Sequence, residues 1–272
     1  MALAAPHTAS SAVPAAAGAA SVAGLDPRPV VLFDWGETLM WVPGMIHDPE
    51  RHLACVERIF ATDLVPVLAE ADRSLGFEHF IGCYREACRR QIAFSRETQR
   101  EHSFAERFVL AMRLAGSSAP PTLDALAPIA DALGHQVTLD ARALDDALAV
   151  VETLARTCRL GVVSNYPHGP VVSASLERAG LLRYFETVVV SSDTGWLKPH
   201  AECYAPALRA LPAAPGRTLM VGDDLTNDVR GAKALGLHTA WIAPHATEID
   251  AAVDIHLTRL SQLPAHCERL FA

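Results

Sequence analysis

Six side chains of this sequence are of types that act together on anionic groups: Asp34, Ser164, Lys198, Asp223, Asp224 and Asp228. A carboxylate serves as a nucleophile or as an oxygen ligand for a hard cation. A lysine balances negative charge, and a hydroxyl hydrogen-bonds a transferring group. Asp34 stands in Val30-Val31-Leu32-Phe33-Asp34-Trp35-Gly36-Glu37-Thr38-Leu39, and Ser164 in Ser164-Asn165. Lys198 stands in Gly195-Trp196-Leu197-Lys198-Pro199, and the other acids in Gly222-Asp223-Asp224-Leu225-Thr226-Asn227-Asp228. Singly, each has a plain explanation: a turn, a surface loop or a helix cap. Their common position relative to strands makes them a set.

The elements that position them are legible as hydrophobic pattern. Val30–Phe33 is a continuous apolar run, which predicts a strand buried on both faces. Strands are likewise expected at Leu160–Val163, Thr187–Val190, Thr218–Val221 and His238–Ile242, the last of the central ones. Helices are expected between them, at Asp145–Arg156, Pro170–Ala179, Ala201–Leu211 and Thr226–Leu235. Such alternation predicts an α/β fold, a parallel sheet with helices on both faces. Every motif above then follows the carboxyl end of a strand, where open α/β sheets hold ligands. Trp41-Val42-Pro43-Gly44 reads as a turn. From about Asp48 to Leu144 apolar residues recur at helical spacing and no strand is expected, so this stretch reads as an all-helical insert. The expected organisation is a tail over residues 1–27, a core over 28–43 and 145–272, and a helical cap over 44–144.

Composition narrows the function class. The chain has 272 residues, half of them hydrophobic, and a formal net charge of −8. An acidic chain offers no broad field to nucleic acid or to an anionic membrane, and no run is apolar enough to span one. An anionic substrate must then meet a locally positive site. Lys198 and Lys233 are the only lysines. Six scattered cysteines without a CxxC pair favour free thiols in a reducing cytoplasm over a zinc site or a disulfide framework. The Ala/Ser/Pro-rich first residues read as a disordered tail rather than a secretory signal.

The set Asp34, Ser164, Lys198, Asp223 and Asp228 resembles the haloacid dehalogenase superfamily, from about Pro29 onward and with the helical insert where that family carries its cap. The resemblance implies a Rossmann-like core, one Mg²⁺ and hydrolysis of a small phosphorylated metabolite through an aspartyl phosphate. Asp34 matches the nucleophile, Ser164 the residue that hydrogen-bonds the transferring group, and Lys198 the balancing cation. Asp223 and Asp228 match the acidic metal positions. The chemistry is coherent by itself, because phosphoryl transfer is mostly positioning and charge neutralisation. Asp34, Asp223, the backbone carbonyl of Gly36 and waters would satisfy Mg²⁺; Asp228 is a direct or outer ligand, and Asp224 a ligand or a helix cap. Thr38 is expected to hydrogen-bond the nucleophile or the phosphoryl oxygens, and Asn165, Trp35 and His168 to face the substrate. Oligomeric state is not legible.

One departure stands out. Phosphatases of the family carry a second aspartate two residues after the nucleophile, where this chain has Gly36; the next position, usually glycine, is Glu37. Loss of the acid-base group costs about 10²–10⁴ in rate unless replaced. Glu37 or His168 could supply the proton, the leaving group could need none, or the protein could be an impaired relative that binds a phosphorylated ligand or a partner. The lysine-dependent phosphonoacetaldehyde branch does not fit, since residues 44–144 contain no lysine. Metal-independent dehalogenation fits poorly with Asp223 and Asp228 together. Among the remaining candidates, Arg85, Arg89 and Arg90 could grip a second anionic group. His47 and His52 could face the cleft, Trp41 flanks its entrance in sequence, and His200 reads as a helix start.

Overall fold

The computed structural model describes residues 26–42 and 49–272. The expected tail up to residue 25, the end of the expected turn at Pro43-Gly44, and His47 lie outside the described residues, as does the side chain of His52. The chain enters through β1 (Val30–Phe33) and the short β2 (Met40–Trp41). Four main helices follow: α1 (Pro49–Ile59), α2 (Phe77–Thr98), α3 (Phe104–Leu114) and α4 (Leu123–Asp140). The short β3 (Arg142–Ala143) returns to the core. Then come α5 (Ala147–Leu154), β4 (Arg159–Ser164), α6 (Gly169–Arg178), β5 (Thr187–Val190), α7 (Ser191–Thr194) and α8 (Ala201–Ala210). The last part comprises β6 (Thr218–Gly222), a wide π-type turn over Leu225–Arg230, α9 (Gly231–Ala234), β7 (His238–Ile242), β8 (Ile255–Leu257) and α10 (Leu263–Phe271).

Six strands form one parallel sheet in the order β5-β4-β1-β6-β7-β8. β1 is central, paired in register with β4 on one side and β6 on the other. The chain builds outward from β4 to β5, then crosses to β6, so β1 marks the point where strand order reverses. Its carboxyl end is the expected place for a ligand crevice. All four β1 residues are buried, and their alternation feeds two layers. Val31 and Phe33 join the apolar cluster of α5, α6 and α10. Val30 and Leu32 join Cys203, Tyr204 and Ala207 of α8 on the other face.

The helices α1 to α4 hold an apolar cluster of their own, centred on aromatic rings. Phe60 stacks on Phe80 at 4.7 Å, and Phe80 lies nearly parallel to Phe108 at 6.3 Å. α3 starts with a capping box in which Ser103 and Glu106 satisfy each other's backbone N–H groups.

The sequence reading needs two corrections and one addition here. Met40–Trp41 and Arg142–Ala143 pair as an antiparallel ribbon, so the expected turn begins as strand and the expected all-helical stretch ends in one. Two-residue strands carry no alternation to read. β7 is the last central strand, as expected, but an edge strand, β8, lies beyond it; only three residues long, it lacks a recognisable run.

Candidate active site

The carboxyl ends of β1, β4 and β6 and the loop after β5 converge on a cavity of about 570 Å³. Asp34 continues the β1 ladder, its N–H donating to Val221 O at 2.9 Å. Its side chain is 13% exposed. Lys198 lies beside it with a nearly inaccessible ammonium group. Nζ donates to Asp34 Oδ1 at 2.6 Å, to Asp228 Oδ1 at 2.7 Å and to Val163 O at 2.7 Å. An ammonium has three protons, so Lys198 is fully committed. Burial opposes its charge, but the Asp228 and Asp34 carboxylates outweigh that and hold its pKa above the usual lysine range.

Asp34, Asp223 and Asp228 form a cluster in which one carboxylate oxygen of each lies within 4.8 Å of the others. Burial pushes the Asp223 pKa up to about 7, with the Asp34 charge as the next cause. Asp228 is raised too, chiefly by burial, although Lys198 pulls it the other way. One ammonium against three carboxylates leaves excess negative charge in a desolvated place. An all-oxygen donor set with surplus charge suits a hard divalent cation such as Mg²⁺. The Gly36 backbone lies on the same cavity wall.

Local structure explains the convergence. Thr38, fully buried, donates from Oγ1 to Asp223 Oδ1 at 3.3 Å. Trp241 Nε1 donates to Asp223 O at 2.8 Å and fixes the same residue from β7. Asp228 Oδ2 accepts from Asp224 N at 3.0 Å. A side chain at Gly222 would occupy the space of the Asp228 carboxylate, so only glycine allows this approach. Ser164, 1% exposed, ends β4 on the cavity wall.

The structure narrows several expected roles. Asp224 stays out of the carboxylate cluster: its Oδ1 accepts from Thr226 N and Asn227 N at 2.8 Å each, capping the following turn. Asn165 lines the cavity and is also tied to the protein. Its Oδ1 accepts from Lys198 N at 2.7 Å and its Nδ2 donates to Lys198 O at 3.0 Å, clamping the lysine's backbone. Trp35 lines the cavity although it is 1% exposed; its indole donates to Ser175 Oγ at 3.0 Å and packs edge-on against Tyr166, so it also braces the turn. His168 turns away toward α4: Nε2 lies 3.2 Å from Asp131 Oδ1, and the ring stacks on Phe104. Arg89 and Arg90 form ion pairs with Glu86 at 2.8 and 2.7 Å on an exposed helix face, and Arg85 is exposed as well. His200 caps α8 by accepting from Glu202 N, as expected of a helix start.

Glu37 does lie on the cavity wall, half-buried, with its backbone in the left-handed region at φ 56°. Val42 N approaches its Oε1 at 3.5 Å. Gly36, by contrast, has no positive φ. Two features escaped the sequence reading. Trp241 belongs to an ordinary-looking strand. Arg107 lies between Phe104 and Phe108 on α3 and reaches the cavity from that helix. An arginine interrupting a buried apolar stripe was the available signal for it. A further hollow of about 660 Å³, between α2, α3 and the start of α4, has Glu106 as its sole carboxylate residue and lacks such a cluster.

Comparison with known proteins agrees with this architecture. Residues 29–236 match the family model described as haloacid dehalogenase-like hydrolase. A putative HAD-hydrolase of Bacillus subtilis is 31% identical over 112 residues, 41% of this chain and 45% of that protein. A pyrimidine 5'-nucleotidase of Escherichia coli is 31% identical over 106 residues, 39% of this chain and 47% of the relative. A glyceraldehyde 3-phosphate phosphatase of Pyrococcus furiosus is 36% identical over 91 residues, 32% and 38% of the two chains. The chain thus spans about half the length, or less, of these curated relatives. In fold, it is similar to the 2-haloacid dehalogenase of Pseudomonas syringae pv. Tomato, with a TM-score of 0.63 at 24% identity over 89% of this chain and 99% of that one. With a matching family model over most of its length and the parallel sheet to go with it, the chain belongs to the haloacid dehalogenase-like hydrolases.

Proposed function

We propose that the protein is a Mg²⁺-dependent phosphomonoester hydrolase that acts on a small phosphorylated metabolite through an aspartyl phosphate on Asp34, with α1 to α4 serving as its cap. The observation that carries this reading is the cluster of Asp34, Asp223 and Asp228 around Lys198. The phosphatase and nucleotidase names among the relatives support a phosphate ester. No described helix is long and apolar enough to cross a membrane, and nothing in the acidic composition calls for nucleic acid.

Lys198 holds Oδ1 of Asp34, which leaves Oδ2 to attack phosphorus as the ester P–O bond breaks. The lysine's fixed charge favours the carboxylate form of Asp34 and the developing charge on the phosphoryl oxygens. Asn165 keeps Lys198 in place, and Ser164 supplies a hydroxyl at the cavity wall for a phosphoryl oxygen. Thr38 acts through Asp223 instead of touching the substrate. Water then cleaves the acyl phosphate and restores Asp34. Asp34, Asp223 and Asp228 would hold Mg²⁺, which when bound neutralises phosphoryl charge. Gly36 offers the leaving group no proton, so activated esters are the better substrates.

The test is hydrolysis of p-nitrophenyl phosphate with and without Mg²⁺ in the parent and in Asp34→Asn. The expected result is Mg²⁺-dependent turnover in the parent and loss of about 10³-fold or more in the variant, since an amide is a poor nucleophile. Turnover unaffected by chelation, or retained in Asp34→Asn that mass spectrometry shows to be free of deamidation, would refute the mechanism.

A further inference from the structure

The cavity contains a cation that phosphoryl chemistry leaves unused. Lys198 is committed to the carboxylate cluster, but Arg107 enters the opposite wall from α3 of the cap. It also borders an adjoining hollow of about 520 Å³. Its Nε donates to Gln91 Oε1 at 3.0 Å, and its guanidinium carbon lies 5.3 Å from the Phe104 ring centre. Among the described residues no carboxylate forms an ion pair with it. Glu101, whose charge it feels, instead accepts from Ser191 Oγ at 2.5 Å and from His102 N at 2.8 Å. The phenols of Tyr84 and Tyr166 stand near it. Burial raises the pKa of both, against the pull of Arg107, and Arg107 hydrogen-bonds the Tyr84 phenol, so neither phenol supplies a compensating negative charge.

A partly buried guanidinium without a carboxylate is costly unless an anion arrives. Its planar fork matches a carboxylate or a phosphate, both of which accept two parallel N–H bonds. We propose that Arg107 binds a second anionic group at the far end of the substrate, so that the preferred substrate is a phosphomonoester with two anionic ends. This inference rests on the reading that Asp34 takes the phosphoryl group at the other end of the same cavity.

The experiment compares kcat/KM for three-carbon phosphate monoesters that end in a hydroxyl, a carboxylate or a second phosphate. The parent should favour the charged ends by about 10- to 100-fold, as expected for a charge-assisted pair. The ratio of the two charged esters tells which group Arg107 takes. In Arg107→Gln the preference for charged ends should fall to near unity, while Arg107→Lys keeps part of it. Binding is read separately by calorimetry with 3-phosphonopropionate and propylphosphonate, which share a C–P bond that is not an ester. The carboxylated compound should bind at least tenfold tighter to the parent and no tighter to Arg107→Gln. If none of the esters is turned over, the phosphatase reading fails and calorimetry alone decides the Arg107 site. A parent indifferent to the distal charge overturns the proposal, and so does a preference that survives in a folded Arg107→Gln. Should that variant fail to fold, the parent's preference and its reduction in Arg107→Lys decide.

Discussion

At Gly36 and Glu37 the backbone and the chemistry disagree about where a side chain belongs. The left-handed backbone falls on Glu37, where a non-glycine residue costs about 1–2 kcal/mol. Gly36 needs no glycine: a Cβ there would meet only Val42 Cγ2, at an ordinary 3.8 Å. Glu37→Gly should therefore raise unfolding stability by up to about 1 kcal/mol, partly offset by the greater freedom of glycine in the unfolded chain. Chemical denaturation measures this, and a loss of stability would mean that the Glu37 carboxylate contributes more than the strain removes. Adding Gly36→Asp places a carboxyl group two residues after Asp34. Turnover of an alkyl phosphate should then rise at least tenfold relative to an aryl phosphate, because an alkoxide leaves only with a proton. An unchanged alkyl-to-aryl ratio would show that proton transfer does not limit the parent. The residue types Asp34, Lys198, Asp223 and Asp228 were legible in sequence because buried strands announce themselves as apolar runs and each motif follows one. Direction was not legible. Asp224 adjoins Asp223 yet turns Oδ1 to the amides of Thr226 and Asn227, and His168 follows Asn165 by three residues yet points toward α4.

Elements explain the placement of His168. α6 begins beside His168, and its ring sits against α4 where Gly134 leaves room; a Cβ at Gly134 would collide with it. α4 itself was hard to see, since Pro128 and Gly134 blur its helical pattern, although its buried stripe of Leu126, Ile129, Ala130 and Leu133 is regular. Burial lowers the His168 pKa below 6.5, against the opposing pull of Asp131 from α4 and Asp193 from α7. Between that lowered value and about 6.5 the unfolded chain binds more protons than the folded one, so this contact gains stability with rising pH and loses it on acidification. The expected outcome is that His168→Gln loses less thermal stability than the parent between pH 7 and pH 5. The difference between the two proteins is the readout, because other groups, Asp223 among them, titrate in the same range. Parallel curves would mean that His168 does not link cap and core through its protonation.

Across the whole molecule two ties, besides the packing of α4 on α6, join the helices α1 to α4 to the body of the sheet. One tie is the ribbon of β2 and β3, through which the chain leaves and returns. The other is the loop between α2 and α3, laid against the loop that carries Lys198. Leu197 N donates to Gln99 O at 2.8 Å, and Glu101 N to Gly195 O at 3.2 Å. Arg100 covers the Trp196 ring at 3.3 Å, and that ring stacks on His200 at 3.7 Å. The two apolar bodies also meet along α4: its Leu126, Ile129 and Leu133 lie in the helical cluster, while its Val137, with Ala141 at its end, joins Val171 and Val172 of α6 in the other, and Tyr166 packs at the margin of each. The loop tie is the one nearest Lys198, so its strength bears on how firmly that lysine's loop is held. Removing the Trp196 ring should loosen the loop tie by about 1–2 kcal/mol, the range of a partly desolvated cation–π stack. In Trp196→Ala the Glu101 and Leu197 amides should exchange with deuterium roughly 5- to 30-fold faster. Amides of β1, β4 and β6 should keep the parent's rates, because they open only when the sheet does. Acceleration spread evenly over cap loop and sheet would instead mean general destabilisation. No acceleration at Glu101 and Leu197 would mean that the Trp196 ring does not hold this loop.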